Sequence, residues 1–159
     1  HGKNFWNVDN YVKRSKMRQA IEWMIYVQMN LPKSATIHWR YESQFWNDEV
    51  ERTIKEVENQ YGVSLNLIKV DTPRTKKYDR MLKMHVYYQN GRVFYDEKLK
   101  PHNDTQVGIS QLLSLEPGYN SNDDAPDADE QCFAFLSRHI SGANDRPITL
   151  GNYQTNHRF

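Results

Sequence analysis

The chain has 159 residues, with 21 Lys and Arg against 20 Asp and Glu, a formal net charge of +1, and one cysteine. That length fits one domain with its own core, and the near-even charge gives no bulk attraction to nucleic acid or anionic membrane, so any basic surface must be local. Cys132 alone excludes an intramolecular disulfide framework and a multi-cysteine zinc site, and is expected as a small core residue.

A mean hydropathy of -0.90 with 13% aromatics implies a compact core under a large wetted surface. No apolar run is long enough to span a bilayer, and His1-Gly2-Lys3-Asn4 lacks the hydrophobic stretch of a signal peptide. The expectation is a soluble, intracellular protein, and a start at His rather than Met suggests that upstream residues are missing.

Residues 5–12 (FWNVDNYV) mix aromatics and Val in imperfect alternation and form the first predicted strand. Ser15 is placed to cap a helix in which Met17, Ile21, Met24, Ile25 and Val27 recur at helical spacing, up to Asn30 and the break at Pro32. Residues 35–41 (ATIHWRY) are a second strand. Trp46, Val50, Ile54, Val57 and Tyr61 then step by three or four along a second helix, ended by Gly62. Residues 65–70 (LNLIKV) follow as a short strand.

Residues 76–88 read as a third helix, with Tyr78, Met81, Leu82, His85 and Val86 on one side and Lys76, Lys77, Arg80 and Lys83 largely on the other. Asn90-Gly91 turns into a strand over residues 92–95, and two more helices are predicted over residues 105–115 and 125–140. Residues 141–159 are polar, without sustained periodicity, and read as a tail. The order β-α-β-α-β-α-β-α-α predicts an α/β layer fold with helices over a largely parallel sheet.

The segment 122–128 (NDDAPDA) sets Asp123, Asp124 and Asp127 close together where a loop turns into a helix. Like charges so close repel and raise one another's pKa unless a cation neutralises them, and a divalent metal is a natural partner. Pro126 suits a first helical turn, so Asp123 or Asp124 as a helix cap, with the other acids solvated, explains the segment by itself without a metal. Glu42 directly follows a strand, and ligand sites in α/β sheets form beyond the carboxyl ends of strands. It also suits an exposed loop or a helix start, where the dipole favours an acid.

Glu42 with two of Asp123, Asp124 and Asp127 would supply most of a two-metal site for phosphodiester cleavage, and such oxygen ligands suit Mg²⁺ or Mn²⁺. No phosphate-cradling G-x-x-x-x-G-K-[ST] loop, Gly-rich dinucleotide fingerprint or nucleophilic-serine elbow occurs. His38 and His85 lack metal-ligand spacing and read as structural. The run Arg74, Lys76, Lys77 and Arg80, with Lys83 beyond it, is the local candidate for gripping a phosphate backbone, or else a solvated helix face.

Three segments, residues 37–45 (IHWRYESQF), 77–94 (KYDRMLKMHVYYQNGRVF) and 122–128, together resemble the C-terminal nuclease domain of the large terminase subunit of tailed bacteriophages, a branch of the RNase H-like fold. The resemblance implies an RNase H-like mixed sheet flanked by helices over residues 1–140. It further implies a Mg²⁺- or Mn²⁺-dependent endonuclease that cuts double-stranded viral DNA during packaging, with Glu42 as second catalytic acid and Asp123, Asp124 and Asp127 as the late acids, all four as metal ligands. Lys76, Lys77 and Arg80 would contact the duplex. Implied partners are the ATPase domain of the same full-length protein, the portal and the small terminase subunit, in the bacterial host cytoplasm.

The family's first catalytic Asp lies on a strand upstream of the one that residues 5–12 match, so Asp9 is not given that role and early strands are expected to be missing, leaving a sheet edge exposed. The rival expectation is a non-catalytic DNA-clamping or portal-docking module on the same scaffold.

Overall fold

The periodicities resolve into four strands and five helices among residues 4–71 and 75–142, which the computed structural model describes. In chain order these are β1 (Phe5–Asn7), α1 (Met17–Met29), β2 (Arg40–Glu42), α2 (Asp48–Tyr61), β3 (Ile68–Val70), α3 (Lys77–Gln89), β4 (Val93–Tyr95), α4 (Asn103–Leu113) and α5 (Asp124–Gly142). The alternation is the predicted one. Arg74 and residues 143–159 lie outside the described residues, and the first two residues of the expected tail, Ser141 and Gly142, close α5.

Helix α2 has the strongest local signals. Asn47 accepts the Val50 N–H at 3.0 Å as its N-cap, Asp48, Glu49 and Glu51 favour the positive end of the dipole, and Gly62 ends it at φ 65°. Ser15, by contrast, does not cap α1. Lys16 takes that position, and the Gln19 side chain reaches back to its N–H at 3.1 Å.

The sheet is parallel throughout but comes in two pieces. β1 pairs with β4 in the register Phe5↔Val93, Trp6↔Phe94, Asn7↔Tyr95, and β2 pairs with β3 as Arg40↔Ile68, Tyr41↔Lys69, Glu42↔Val70. Among the described residues each strand is therefore hydrogen-bonded on one side only. The α/β class holds, while the expected single sheet is two parallel pairs, each with its own apolar cluster. Ile21, Ile25, Ile54, Val57 and Leu65 pack with Trp39 and Trp46 in one. Phe5, Met81, Met84 and Phe133 pack with Tyr87, Tyr88 and Leu112 in the other.

The strands are shorter than predicted for identifiable reasons. After Asn7 the chain is drawn off by polar side chains: the Asn10 N–H bonds Asp9 at 2.8 Å, and the Asn10 amide bonds Thr105 at 3.0 Å. Before Ile68, the Leu65 N–H is held by the Glu58 carboxylate at 2.7 Å, so the chain is still wrapped on the end of α2 where pairing was expected to begin. Cys132, expected in the core, is exposed.

Helix α5 ties the halves together. It packs on α3 and α4, and Gln131 near its middle donates to Glu42 at the end of β2 at 2.6 Å. Gly108 of α4 lies against Ala125 of α5 and Val12, where an added Cβ would make van der Waals contact with the Ala125 methyl at 3.4 Å.

Candidate functional site

Pro126 is fully buried in the first turns of α5 and fixes where the acidic residues around it point. Asp127 N–H bonds the Asp123 carbonyl at 3.0 Å, which puts Asp123 at the helix entrance, and the Ala125 N–H is satisfied by the Gln111 side chain of α4 at 2.9 Å.

The start of α3 faces this entrance. The Lys77 ammonium donates to Asp123 Oδ1 at 2.7 Å and lies 3.2 Å from Asp127 Oδ2. One turn on, the Arg80 guanidinium donates to Asp127 Oδ1 at 2.9 Å and also pairs with Glu130. The Tyr119 hydroxyl donates to the second oxygen of Asp123. Burial alone would raise the Asp123 pKa, but the hydrogen bonds from Lys77 and Tyr119 outweigh it and hold the carboxyl below the ordinary aspartate value. Lys77 is the mirror case, since partial burial would lower its pKa while Asp123 and Asp127 keep it above the usual lysine range.

Arg80 was expected on the charged outer face of α3 and is instead only 8% exposed. The expected faces are rotated because Asp127 and Glu130, one turn apart on α5, present a paired anionic surface that a buried guanidinium can bridge. Leu82, His85 and Val86, expected on the packed side, are exposed instead. The Arg80 Nε is buried without a hydrogen-bond partner, so the guanidinium is satisfied at its outer nitrogens only. Lys76 and Lys83 are exposed.

Of the four acids singled out by sequence, Asp123 and Asp127 are brought together, and Asp124 is exposed at the first position of α5. Glu42 reaches the same helix further along, where its carboxylate accepts from Gln131 at 2.6 Å and from Gln44 at 2.7 Å. Among the described residues no group of three or more His, Cys, Asp or Glu is arranged to hold a metal ion. The oxygen-donor chemistry suits Mg²⁺ or Mn²⁺, but the arrangement does not fit them, because Lys77 and Arg80 already neutralise two of the four carboxylates.

Comparison with known proteins finds no matching family model, no matching curated protein and no matching solved structure. Among the described residues no helix is long and apolar enough to cross a membrane.

Sequence reasoning missed Glu130, although it sits three residues after Asp127 and so on the same helix face. It also missed Asp129, which the Tyr88 hydroxyl approaches at 3.4 Å, with the Tyr95 hydroxyl 3.5 Å from that of Tyr88. Burial pushes the Asp129 carboxyl up to about 6, against the hydrogen bond from Tyr88 that works to lower it. Isolated acids within an acidic run give no sequence signal of which one turns inward.

Proposed function

We propose that this chain is the nuclease domain of a terminase large subunit, an RNase H-like scaffold acting on double-stranded DNA during genome packaging. One observation carries the reading. The three segments that resemble that family are far apart in sequence, yet the first two both reach the first half of α5, the helix that the third opens: Glu42 on Gln131, Lys77 on Asp123 and Asp127, and Arg80 on Asp127 and Glu130. Residues that serve one site are expected to gather in this way, whereas independent capping and surface charges are not.

The reaction implied by this reading is phosphodiester hydrolysis, in which Mg²⁺ or Mn²⁺ would neutralise charge at the phosphate only if Lys77 and Arg80 gave up the Asp123 and Asp127 pairs that keep the present arrangement from fitting a metal. Glu42 and Asp124 are the acids that Lys77 and Arg80 do not pair. A second reading, a DNA-clamping or portal-docking module without hydrolysis, is favoured by the internal neutralisation of Asp123 and Asp127. The ATPase domain, the portal and the small terminase subunit belong to the proposal on either reading, as does the bacterial host cytoplasm.

The two readings separate in a plasmid assay. Supercoiled DNA incubated with the chain and millimolar Mn²⁺ is expected to be nicked, and Glu42→Gln is expected to lose nicking while keeping its unfolding midpoint. Unchanged nicking by Glu42→Gln would remove Glu42 from the reaction. DNA retention without any nicking by the wild type would leave the clamping module.

A further inference from the structure

Helix α5 carries a second stripe beyond its acidic start. Gln131, Phe135, Arg138 and His139 recur at helical spacing and line one side of it. Residues 38, 40 and 42 alternate along the extended chain that leads into β2, so their side chains share one face. The two stripes meet residue by residue. Glu42 accepts from Gln131 at 2.6 Å, the Arg40 guanidinium lies 4.4 Å from the Phe135 ring centre, and the His38 ring is 5.3 Å from the same ring. The His139 ring stands 4.0 Å from Phe135, anchored through Nδ1 to the Phe135 carbonyl at 2.9 Å.

The two arginines of this patch differ from the cations of α3 in being available. His38, Arg40, Arg138 and His139 are exposed, and neither arginine makes an ion pair with a described residue. Lys77 and Arg80 are spent on α5 carboxylates. Glu42, which accepts from the neutral amides of Gln131 and Gln44, keeps its charge and bounds the patch at one end, while Asp129 turns inward to Tyr88. An arginine resting on a ring has part of its side-chain freedom already removed, and its planar fork matches two oxygens of one phosphate.

We propose that His38, Arg40 and His139, gathered around Phe135, with Arg138 three residues on along α5, form a contact surface for the phosphate backbone of duplex DNA beside Glu42. The assignment rests on the duplex-DNA reading above and moves the DNA contact from α3 to the junction of β2 and α5. Contacts of this kind position a duplex without reading its sequence.

The test is anisotropy of a short labelled duplex in EDTA over about 50–200 mM salt, where each lost phosphate contact flattens the log affinity against log salt slope by about 0.9. The double variant Arg40→Gln, Arg138→Gln is expected to flatten the slope by about 2 and weaken binding. The charge-keeping pair Arg40→Lys, Arg138→Lys is expected to restore most of it, and Lys76→Gln, Lys83→Gln to leave the slope as it is. A wild-type slope in the Gln pair, or a loss confined to the Lys76 and Lys83 pair, overturns this surface while leaving the duplex reading intact. Failure of the wild type to bind at the lowest salt overturns both.

Discussion

Lys77 and Asp123, 46 residues apart in the chain, are joined by a 2.7 Å hydrogen bond from the ammonium to Oδ1. With Arg80 bridging Asp127 and Glu130, it fastens the start of α3 to the start of α5. Two of the three aspartates in a segment that reads in sequence as a metal site are thus already paired by the protein's own cations. The consequences differ for the two cations because their exposure differs.

Arg80 has a side chain 9% exposed, facing Asp127 at 18% and Glu130 at 12%. Arg80→Met removes the guanidinium that bridges two poorly solvated carboxylates, and breaking a buried pair in this way costs about 3–5 kcal/mol. The Lys77 side chain is 37% exposed, so solvent screens its pairs and Lys77→Met is expected to cost about 1 kcal/mol or less. Urea unfolding of the two variants measures the difference. Equal losses would mean that the guanidinium contributes no more than a surface ammonium.

Where the pattern was local, the sequence disclosed it. The steps from Trp46 to Tyr61 and the stop at Gly62 are set by residues within the helix itself, and the Asn47 cap lies next to it. The order of strands and helices followed from the same kind of signal. The inward turn of Arg80 was not legible, because it depends on Asp127 and Glu130, 47 and 50 residues away, and a helix with cations on several sides has no periodicity that says which one is buried. Strand ends failed for a similar reason: β1 stops where Asn10 finds Thr105, a contact set by tertiary packing.

Asp129 gives the molecule a defined acid response. Its carboxyl is held up to about 6 by burial, so between the ordinary carboxylate range and pH 6 the folded state keeps a proton that the unfolded chain releases. Stability is therefore greatest below that window and falls as pH rises through it, by an amount on the order of 2–3 kcal/mol. Asp129→Asn removes the titration, and is expected to be more stable than the wild type at pH 8 and no more stable near pH 4. A constant difference between the two proteins across that range would assign the effect to packing and not to the proton.

Asp123 has the opposite sign. Its folded pKa lies below the ordinary aspartate value, so its contribution is present above that value and is lost as pH falls through the lowered one. Asp123→Asn is expected to destabilise at neutral pH and to converge on the wild type in strong acid. Denaturation midpoints taken along a pH series distinguish this from a simple packing defect, which would persist at every pH.

Gly62 ends α2 in the left-handed region at φ 65°, and an added Cβ there would meet nothing within 4 Å. Any penalty for Gly62→Ala is therefore a backbone penalty, about 1 kcal/mol from the left-handed conformation alone. Thermal unfolding reads it directly. A neutral result would show that the cap relaxes out of the left-handed region when glycine is removed.

Lys77 also decides what a divalent ion would meet. On the nuclease reading, Mn²⁺ must compete with an ammonium hydrogen-bonded to Asp123 and paired with Asp127. Lys77→Ala releases both carboxylates from that competitor, and leaves Asp123 held by Tyr119 and Asp127 by Arg80. A ligand that binds only the folded state stabilises it by about 2.7 kcal/mol at a hundred times its Kd, so a tighter site shows as a larger rise in melting temperature at fixed metal. Lys77→Ala is expected to gain more from millimolar Mn²⁺ than the wild type does, whereas Lys77→Arg, which keeps the charge, is expected to gain no more. An equal response in all three proteins would make Asp123 and Asp127 counter-charges for α3 alone, and would leave Glu42 and Asp124 as the remaining acids of the proposed site.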